Sequence, residues 1–584
     1  MYKKYVFYGK GGIGKTNIAV NTGIAFVKRN KVTSLIGCSP KSNIGDLFKE
    51  NQIGLPILDL HRKEGVNEKN IMESSSSYDG LLILEMGGPE PGVGCAGRGI
   101  PVALDLIEQY KDVFPNYSNS ENVIYDMIGD IVCGGFATPM RGKDIDVRVI
   151  IVVSGELMAL YSGNNIALAA KGLKDSGTSN VSIAGIVANL RGIDREEEII
   201  EEFSKRVNIP ILVTIPRDPE TFRKAEQIGK PIVDAFPDSE ITKRFFTLVD
   251  KLETNGVVKP TPYEDYNGLF DMFMTFQKGV HAKDKEVIDV IGYKKLIPPE
   301  INKKREKPLR ISIYGTGGIG KSTVSSNMSA ALVLKGEKVL QVGCDPKRDS
   351  ISTICGELKP TIMDAVREKP VMSFEEMKGC IYEAIDYEGR LYGCECGGPN
   401  PGKGCAGKGV NLVLVQLEKL KMYERMGFTF VLYDVLGDTV CGGFALPLQF
   451  ADCTYIVTSG ESAPLVQSMK IIQSVANFSK RNPHMNIGVS GIINNMRGIK
   501  NEEKIVEEIF SLVGVPVIAH IPRSEYVQRA ENIKRTVVYA YPESSQAQVY
   551  MKLSENIINN DKKYLLKSEI LTAREVKEIT AKYS

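Results

Sequence analysis

Short apolar runs alternate along the whole chain with longer amphipathic stretches. Val149–Val153, Ile183–Ala188, Thr429–Tyr433 and Tyr455–Thr458 are largely apolar at consecutive positions rather than at every second one. A strand with one buried face alternates, whereas a strand covered on both faces by crossover helices reads as a continuous apolar run. The pattern predicts parallel α/β sheets flanked by helices, with their functional loops gathered at the carboxyl edge. Met1–Tyr8 predicts a first strand leading straight into a glycine loop. A signal peptide would have a longer apolar core and a cleavage site. No apolar run is long enough to span a bilayer, so a cytoplasmic protein without a membrane partner is expected.

The pattern occurs twice. Gly87-Gly88-Pro89-Glu90-Pro91-Gly92-Val93-Gly94-Cys95 returns as Gly397-Gly398-Pro399-Asn400-Pro401-Gly402-Lys403-Gly404-Cys405. Tyr125-Asp126 through Asp130 to Cys133 returns as Tyr433-Asp434 through Asp438 to Cys441, and Ser154-Gly155-Glu156 returns as Ser459-Gly460-Glu461. Order and spacing are kept, which marks duplication of a whole domain. The expected division is a first domain at 1–258, its extension and a linker at 259–307, a second domain at 308–560 and a charged tail at 561–584. The Lys- and Pro-rich stretch Lys294–Lys307 reads as a solvated linker.

At 584 residues the chain is too long for one ordinary core. A formal net charge of +2 gives no sign of a nucleic-acid partner. Eleven cysteines is an odd number, and cytosolic thiols normally stay reduced, so metal ligation is a better reading than disulfides for those in glycine loops.

Two loops fit a phosphate-binding pattern whose backbone N–H groups cradle phosphates and whose lysine and hydroxyl serve phosphate and Mg²⁺. They are Gly9-Lys10-Gly11-Gly12-Ile13-Gly14-Lys15-Thr16 and Gly315-Thr316-Gly317-Gly318-Ile319-Gly320-Lys321-Ser322. The first keeps a second lysine, Lys10, where the second has Thr316. The acidic segment Cys344-Asp345-Pro346-Lys347-Arg348-Asp349 shows the opposite loss, because its partner Cys38-Ser39-Pro40-Lys41-Ser42-Asn43 lacks both carboxylates.

Each half has two cysteines in glycine loops, Cys95 and Cys133, then Cys405 and Cys441. Two thiolates cannot complete an iron–sulfur cube and four can, the usual [4Fe-4S] arrangement. A four-thiolate zinc site and four unliganded buried cysteines are the alternatives. Cys38 and Cys344 read as buried structural thiols. Cys394 and Cys396 form a CxC pair without partners in the first half; Cys355, Cys380 and Cys453 read as packing residues.

Taken together, the lysine-bearing loop, GCDPK, GGPxPGxGCAGxG, YDxxGDxVCGGFA and SGE motifs make each half resemble the nitrogenase iron protein family, the ATP-dependent dinitrogenase reductases. That family is a homodimer with one nucleotide site per subunit and one cluster between subunits. The resemblance implies an intramolecular pseudo-dimer, monomeric as a chain, with the [4Fe-4S] cluster on Cys95, Cys133, Cys405 and Cys441 and with Mg²⁺ and ATP/ADP as cofactors. It implies that Lys10 acts across the interface on the second-half nucleotide, together with Lys321, Ser322, Thr323, Asp345, Asp349 and Asp434. Lys15, Thr16 and Asp126 would form the weaker site. Asn189 and Asn495 would lie near adenine, Asp130 and Asp438 would couple nucleotide to cluster, and Arg98 and Lys408 would flank the docking face. The implied partners are a nitrogenase-component-like catalytic metalloprotein and a ferredoxin or flavodoxin donor. A cofactor-inserting maturase, a partitioning or scaffold ATPase, and a regulatory sensor that binds nucleotide and cluster without passing electrons on are the other readings.

Overall fold

The computed structural model describes residues 2–39, 44–48, 54–88, 96–127, 129, 134–254, 256, 258–263, 268–269, 271–273, 275–276, 299–301, 307–345, 348–398, 404–436, 445–485, 487–560, 563–564 and 570–583. The chain forms two compact units, whose main bodies change over between Lys278 and Gly279. Most of the Lys294–Lys307 stretch lies outside the described residues.

The first unit contains β1 (Lys3–Gly9), β2 (Thr33–Cys38), β3 (Ser75–Tyr78), β4 (Leu81–Glu85), β5 (Asn122–Met127), β6 (Gly142–Val153), β7 (Ser179–Asn189) and β8 (Ile211–Ile215), in the order β3-β4-β2-β5-β1-β6-β7-β8. The second contains β9 (Leu309–Gly315), β10 (Val339–Gly343), β11 (Tyr382–Glu383), β12 (Leu391–Glu395), β13 (Phe430–Asp434), β14 (Cys453–Thr458), β15 (Gly491–Asn495) and β16 (Val517–Ile521). Its order, β11-β12-β10-β13-β9-β14-β15-β16, is the same. All pairings are parallel except the edge pairs β3/β4 and β11/β12. The four apolar runs fall within β6, β7, β13 and β14, apart from Thr429, which directly precedes β13. Their full burial on both faces explains why they lack alternation.

Helices Lys15–Lys28 and Glu240–Thr254 close one face of the first sheet, where Tyr5, Phe7, Phe26, Ile124, Phe245 and Leu248 form the core. Helices Lys321–Leu334 and Ser545–Ile558 do the same for the second, around Ile313, Met328, Phe430 and Leu553. The first unit extends past residue 258. Val258 bridges to Ile183, and the Asn164 side chain binds both the N–H and the carbonyl of Tyr263. In the charged tail, Ala573–Lys582 is a helix capped by Thr572 and Glu575, and Lys582 pairs with Glu508. Among the described residues no helix is long and apolar enough to cross a membrane.

Equivalent strand positions hold their cations differently. Arg310 pairs with Glu418 at 2.8 Å and Asp452 at 3.6 Å. Lys4 is 5% exposed and rests over the Tyr125 ring at 4.4 Å, with no ion pair among the described residues. Burial pushes its ammonium down to about 8. Below that pH both folded and unfolded states are charged, and folding bears the full cost of burying the cation. Between about 8 and the ordinary lysine value the folded state sheds its proton first, so stability rises with pH. Lys4→Met is expected to stabilise the protein by about 1–3 kcal/mol at neutral pH. The gain should shrink by about pH 10. Thermal unfolding at both pH values checks this; a destabilised variant would show that the aromatic contact outweighs the burial cost.

Candidate functional site

Both glycine loops leave the central strand of a sheet and enter a helix at its N-terminus, the geometry that presents backbone N–H groups to an anion. Gly14 and Gly320 cap those helices at φ 97° and 92°, in the left-handed region. A Cβ there would lie 2.6 Å from Asn189 Nδ2 and 2.5 Å from Asn495 Nδ2, so only glycine fits. Those amides donate to the loop carbonyls of Ile13 and Ile319, each at 2.7 Å. Arg191 donates to Gly12 O and Arg497 to Gly318 O, the latter at 2.6 Å. Each loop is therefore held from the end of the strand next but one in the sheet, β7 in the first half and β15 in the second. Lys15 curls back on Gly9 O and Lys10 O at 2.9 and 3.0 Å, and Lys321 reaches Thr316 O at 3.4 Å.

At the neighbouring strand end the halves diverge. Thr16 donates to Asp126 Oδ2 at 2.7 Å, while Oδ1 is buried without a hydrogen-bond partner among the described residues. Burial raises that carboxyl to about 6, against the Thr16 hydroxyl and the Lys15 charge. Asp434 Oδ2 accepts from Ser350 at 2.7 Å. Burial raises this carboxyl too, countered first by the Lys321 charge and then by the nearby Ser350 and Ser322 hydroxyls. In each half a buried carboxylate close to the loop hydroxyl is a donor set that suits Mg²⁺.

The absence of a Ser350 equivalent has a local cause. Ile44 N–H and Ile351 N–H both anchor on strand carboxylates, Glu85 at 2.8 Å and Glu395 at 2.9 Å. Between Cys38 and Ile44 the first half is one residue shorter than between Cys344 and Ile351, so Asn43 alone stands for both Asp349 and Ser350.

Lys10 Nζ binds Glu156 Oε2 of its own half at 2.9 Å. The side chains are 22% and 43% exposed, so the pair is worth about 0–1 kcal/mol and does not prevent Lys10 from moving. Its positional counterpart, Thr316, has a buried hydroxyl with no hydrogen-bond partner among the described residues. Thr323 donates to Glu531 at 2.7 Å. Arg348, at φ 64°, forks onto Asp364 at 3.1 and 3.2 Å; Asp364 also takes Arg367, which caps Gly398 O.

Cys405 is the N-cap of helix Ala406–Lys419 and half-buried, at the positive end of the helix dipole, where the anionic charge of a cluster is favoured. Lys408, in the first turn of that helix, and Arg98, in helix Ala96–Gln109, are both exposed. Cys95, Cys133, Cys441, Asp130 and Asp438 lie outside the described residues. A half-exposed thiol on a helix N-terminus, following a glycine-rich sequence, suits iron–sulfur ligation.

The family model for 4Fe-4S iron sulfur cluster binding proteins, NifH/frxC family, matches residues 3–279 and again 309–584. The chain belongs to the NifH/frxC family. It holds two family domains in tandem. Nitrogenase iron protein 2 of Methanothermobacter thermautotrophicus is 44% identical over 253 residues, 43% of this chain and 90% of that protein. Nitrogenase iron protein 2 of Methanobacterium ivanovii is 45% identical over 254 residues, 43% of this chain and 91% of its own length. Among solved structures, the cell division ATPase MinD of Pyrococcus furiosus aligns at 18% identity and a TM-score of 0.33, over 43% of this chain and 99% of its own.

Several residues of this NifH/frxC chain emerge only from the structure. Glu156 was visible as a repeat marker but not as the partner of Lys10. Arg191 and Arg497 lie in the repeated segments Asn189-Leu190-Arg191-Gly192-Ile193 and Asn495-Met496-Arg497-Gly498-Ile499, a signal that repeat alignment carries. Glu196 and Glu502 accept the backbone N–H groups of those turns and of Gly155 and Gly460, tying the SGE segments to the loops.

Proposed function

We propose that the chain is an ATP-dependent electron-transfer protein of the nitrogenase-reductase type, with one hydrolytic nucleotide site, on its second half. The observation that carries this reading is the difference between two equivalent carboxylates. Asp434 Oδ2 accepts from Ser350, whereas Asp126, without a Ser350 counterpart, has Oδ1 buried with no hydrogen-bond partner among the described residues. Family membership across both halves and the similarity to nitrogenase iron proteins support the electron-transfer class.

In the proposed active site the loop N–H groups and Lys321 bind the β- and γ-phosphates, and Ser322 with Asp434 would hold Mg²⁺. Thr323 and Asn495 complete the nucleotide set. Asp345 and Asp349 give the acidic segment its response to the γ-phosphate, and Asp130 and Asp438 relay that response. Lys10 leaves Glu156 and places its charge against the second-half phosphates, where charge develops during transfer. Lys15, Thr16, Asp126 and Asn189 bind a second nucleotide with little turnover, because Ser39 and Asn43 lack carboxylates and Thr316 lacks charge. When bound on Cys95, Cys133, Cys405 and Cys441, the [4Fe-4S] cluster supplies a low-potential electron for a nitrogenase-component-like metalloprotein, replenished by a ferredoxin or flavodoxin. Joining both halves in one chain makes assembly of the four-cysteine set independent of protein concentration.

The test is a phosphate burst. Anaerobic holoprotein mixed with excess Mg-ATP should bind two nucleotides and release one phosphate per chain in the first turnover. A burst of two would overturn the single-site reading.

A further inference from the structure

The CxC pair of the second half is not used by the proposed function, and the structure supplies a partner for one of its members. Cys344 Sγ and Cys396 Sγ lie 4.0 Å apart, both fully buried. They follow paired parallel strands: Val342 is opposite Cys394 and Gly343 opposite Glu395, and Cys396 N–H donates to Gly343 O at 2.8 Å. Neighbouring strands place such facing Cα atoms about 4.8 Å apart, within the span of a disulfide. Cys394 is one step back on the same face, opposite a valine. In the first half the corresponding positions are Cys38 and Met86, so the pair exists only in the second.

We propose that Cys344 and Cys396 form a reversible dithiol–disulfide site that locks the acidic segment of the second half to its cysteine loop. Cys344 directly precedes Asp345, and Cys396 directly precedes the glycine-rich run that ends at Cys405. The Arg348–Asp364–Arg367–Gly398 chain spans the same two segments, so they are already coupled in the reduced state. A disulfide would fix the spacing of their first residues and oppose any shift of Asp345 and Asp349 towards a γ-phosphate.

The oxidant is a peroxide. One thiolate attacks the O–O bond, leaving a sulfenic acid and releasing hydroxide, which takes up a thiol proton. The second thiolate then displaces hydroxide from that sulfur as the S–S bond forms. Two electrons and two thiol protons leave with two waters. The S–H···S contact with Cys344 and burial hold the Cys396 thiol well above its ordinary range. Burial raises the Cys344 thiol as well, and the contact with Cys396 offsets only part of that rise. Burial keeps the reaction slow while the segments stay closed.

Anaerobic full-length holoprotein is treated with limiting hydrogen peroxide, alkylated and digested, with the visible spectrum followed for cluster loss. The expected product is a peptide pair linked through Cys344 and Cys396, absent after dithiothreitol. Cys394→Ser should retain the link and Cys396→Ser should lose it. Oxidation should weaken Mg-ATP binding by about tenfold, an ordinary coupling between sites, reversibly in wild type and Cys394→Ser but not in Cys396→Ser. Recovery of Cys344 and Cys396 fully alkylated after other thiols have reacted would overturn the proposal. So would a link through Cys394, or a link without change in affinity. The linkage is read by mass, so it stands or falls separately from the number of hydrolytic sites; only the affinity change rests on the functional reading above.

Discussion

Replacing Lys10 by alanine is expected to lower ATP turnover by about a hundred- to a thousandfold, the usual effect of removing a preorganised charge from a developing oxyanion. The substitution lies in the first half, and the activity lost would be that of the second. Lys10 contributes little to its own domain, since its partner among the described residues is Glu156, in a partly exposed pair. The second loop has no substitute, because Thr316 carries no charge. Binding of two nucleotides should persist, since Lys15 and Lys321 remain in place. Lys15→Ala should be milder, reducing nucleotide occupancy in the first half with modest loss of turnover. Phosphate release measured beside equilibrium binding separates the two variants. Equal losses would mean that each lysine serves the nucleotide of its own half.

Cys405→Ser should abolish the cluster. A four-thiolate set with one member replaced by a poorer ligand is expected to fall from about four irons per chain to below one, with loss of the visible charge-transfer band. The fold should persist, because Cys405 is half-buried at a helix cap and belongs to neither sheet core. Circular dichroism and iron analysis on anaerobic protein check both parts, with Cys394→Ser as the control that retains iron. Full iron in Cys405→Ser would move the ligand set elsewhere.

Much of the fold was legible because parallel strands buried on both faces leave an unmistakable apolar run, as in β6 and β14. The antiparallel edges β3 and β11 were not. Ser75–Tyr78 has no buried residue, and Tyr382–Glu383 is too short to show a period. The loops, their lysines and Asp126 and Asp434 were legible because phosphate chemistry restricts residue type and spacing together. The Lys10–Glu156 pair was not, since Coulombic partners distant in sequence leave no periodic trace. Cys396 showed the limit most clearly. Its CxC spacing drew attention to Cys394, yet the nearer sulfur is on the adjacent strand, where register rather than spacing decides. The one-residue shortening before Ile44 was present in the sequence. Its meaning became clear only when Glu85 and Glu395 fixed where the two segments end.

That shortening also bears on history. A carboxylate exchanged for serine or asparagine can return by a single codon change. A missing position cannot be supplied that way: it needs an in-frame insertion at one site, and until then acidic residues in this segment would sit out of register with the anchor at Ile44. Reversion of the first half is thus blocked by chain length itself, and descendants of this fusion should drift further apart at that segment instead of converging again on two equal halves.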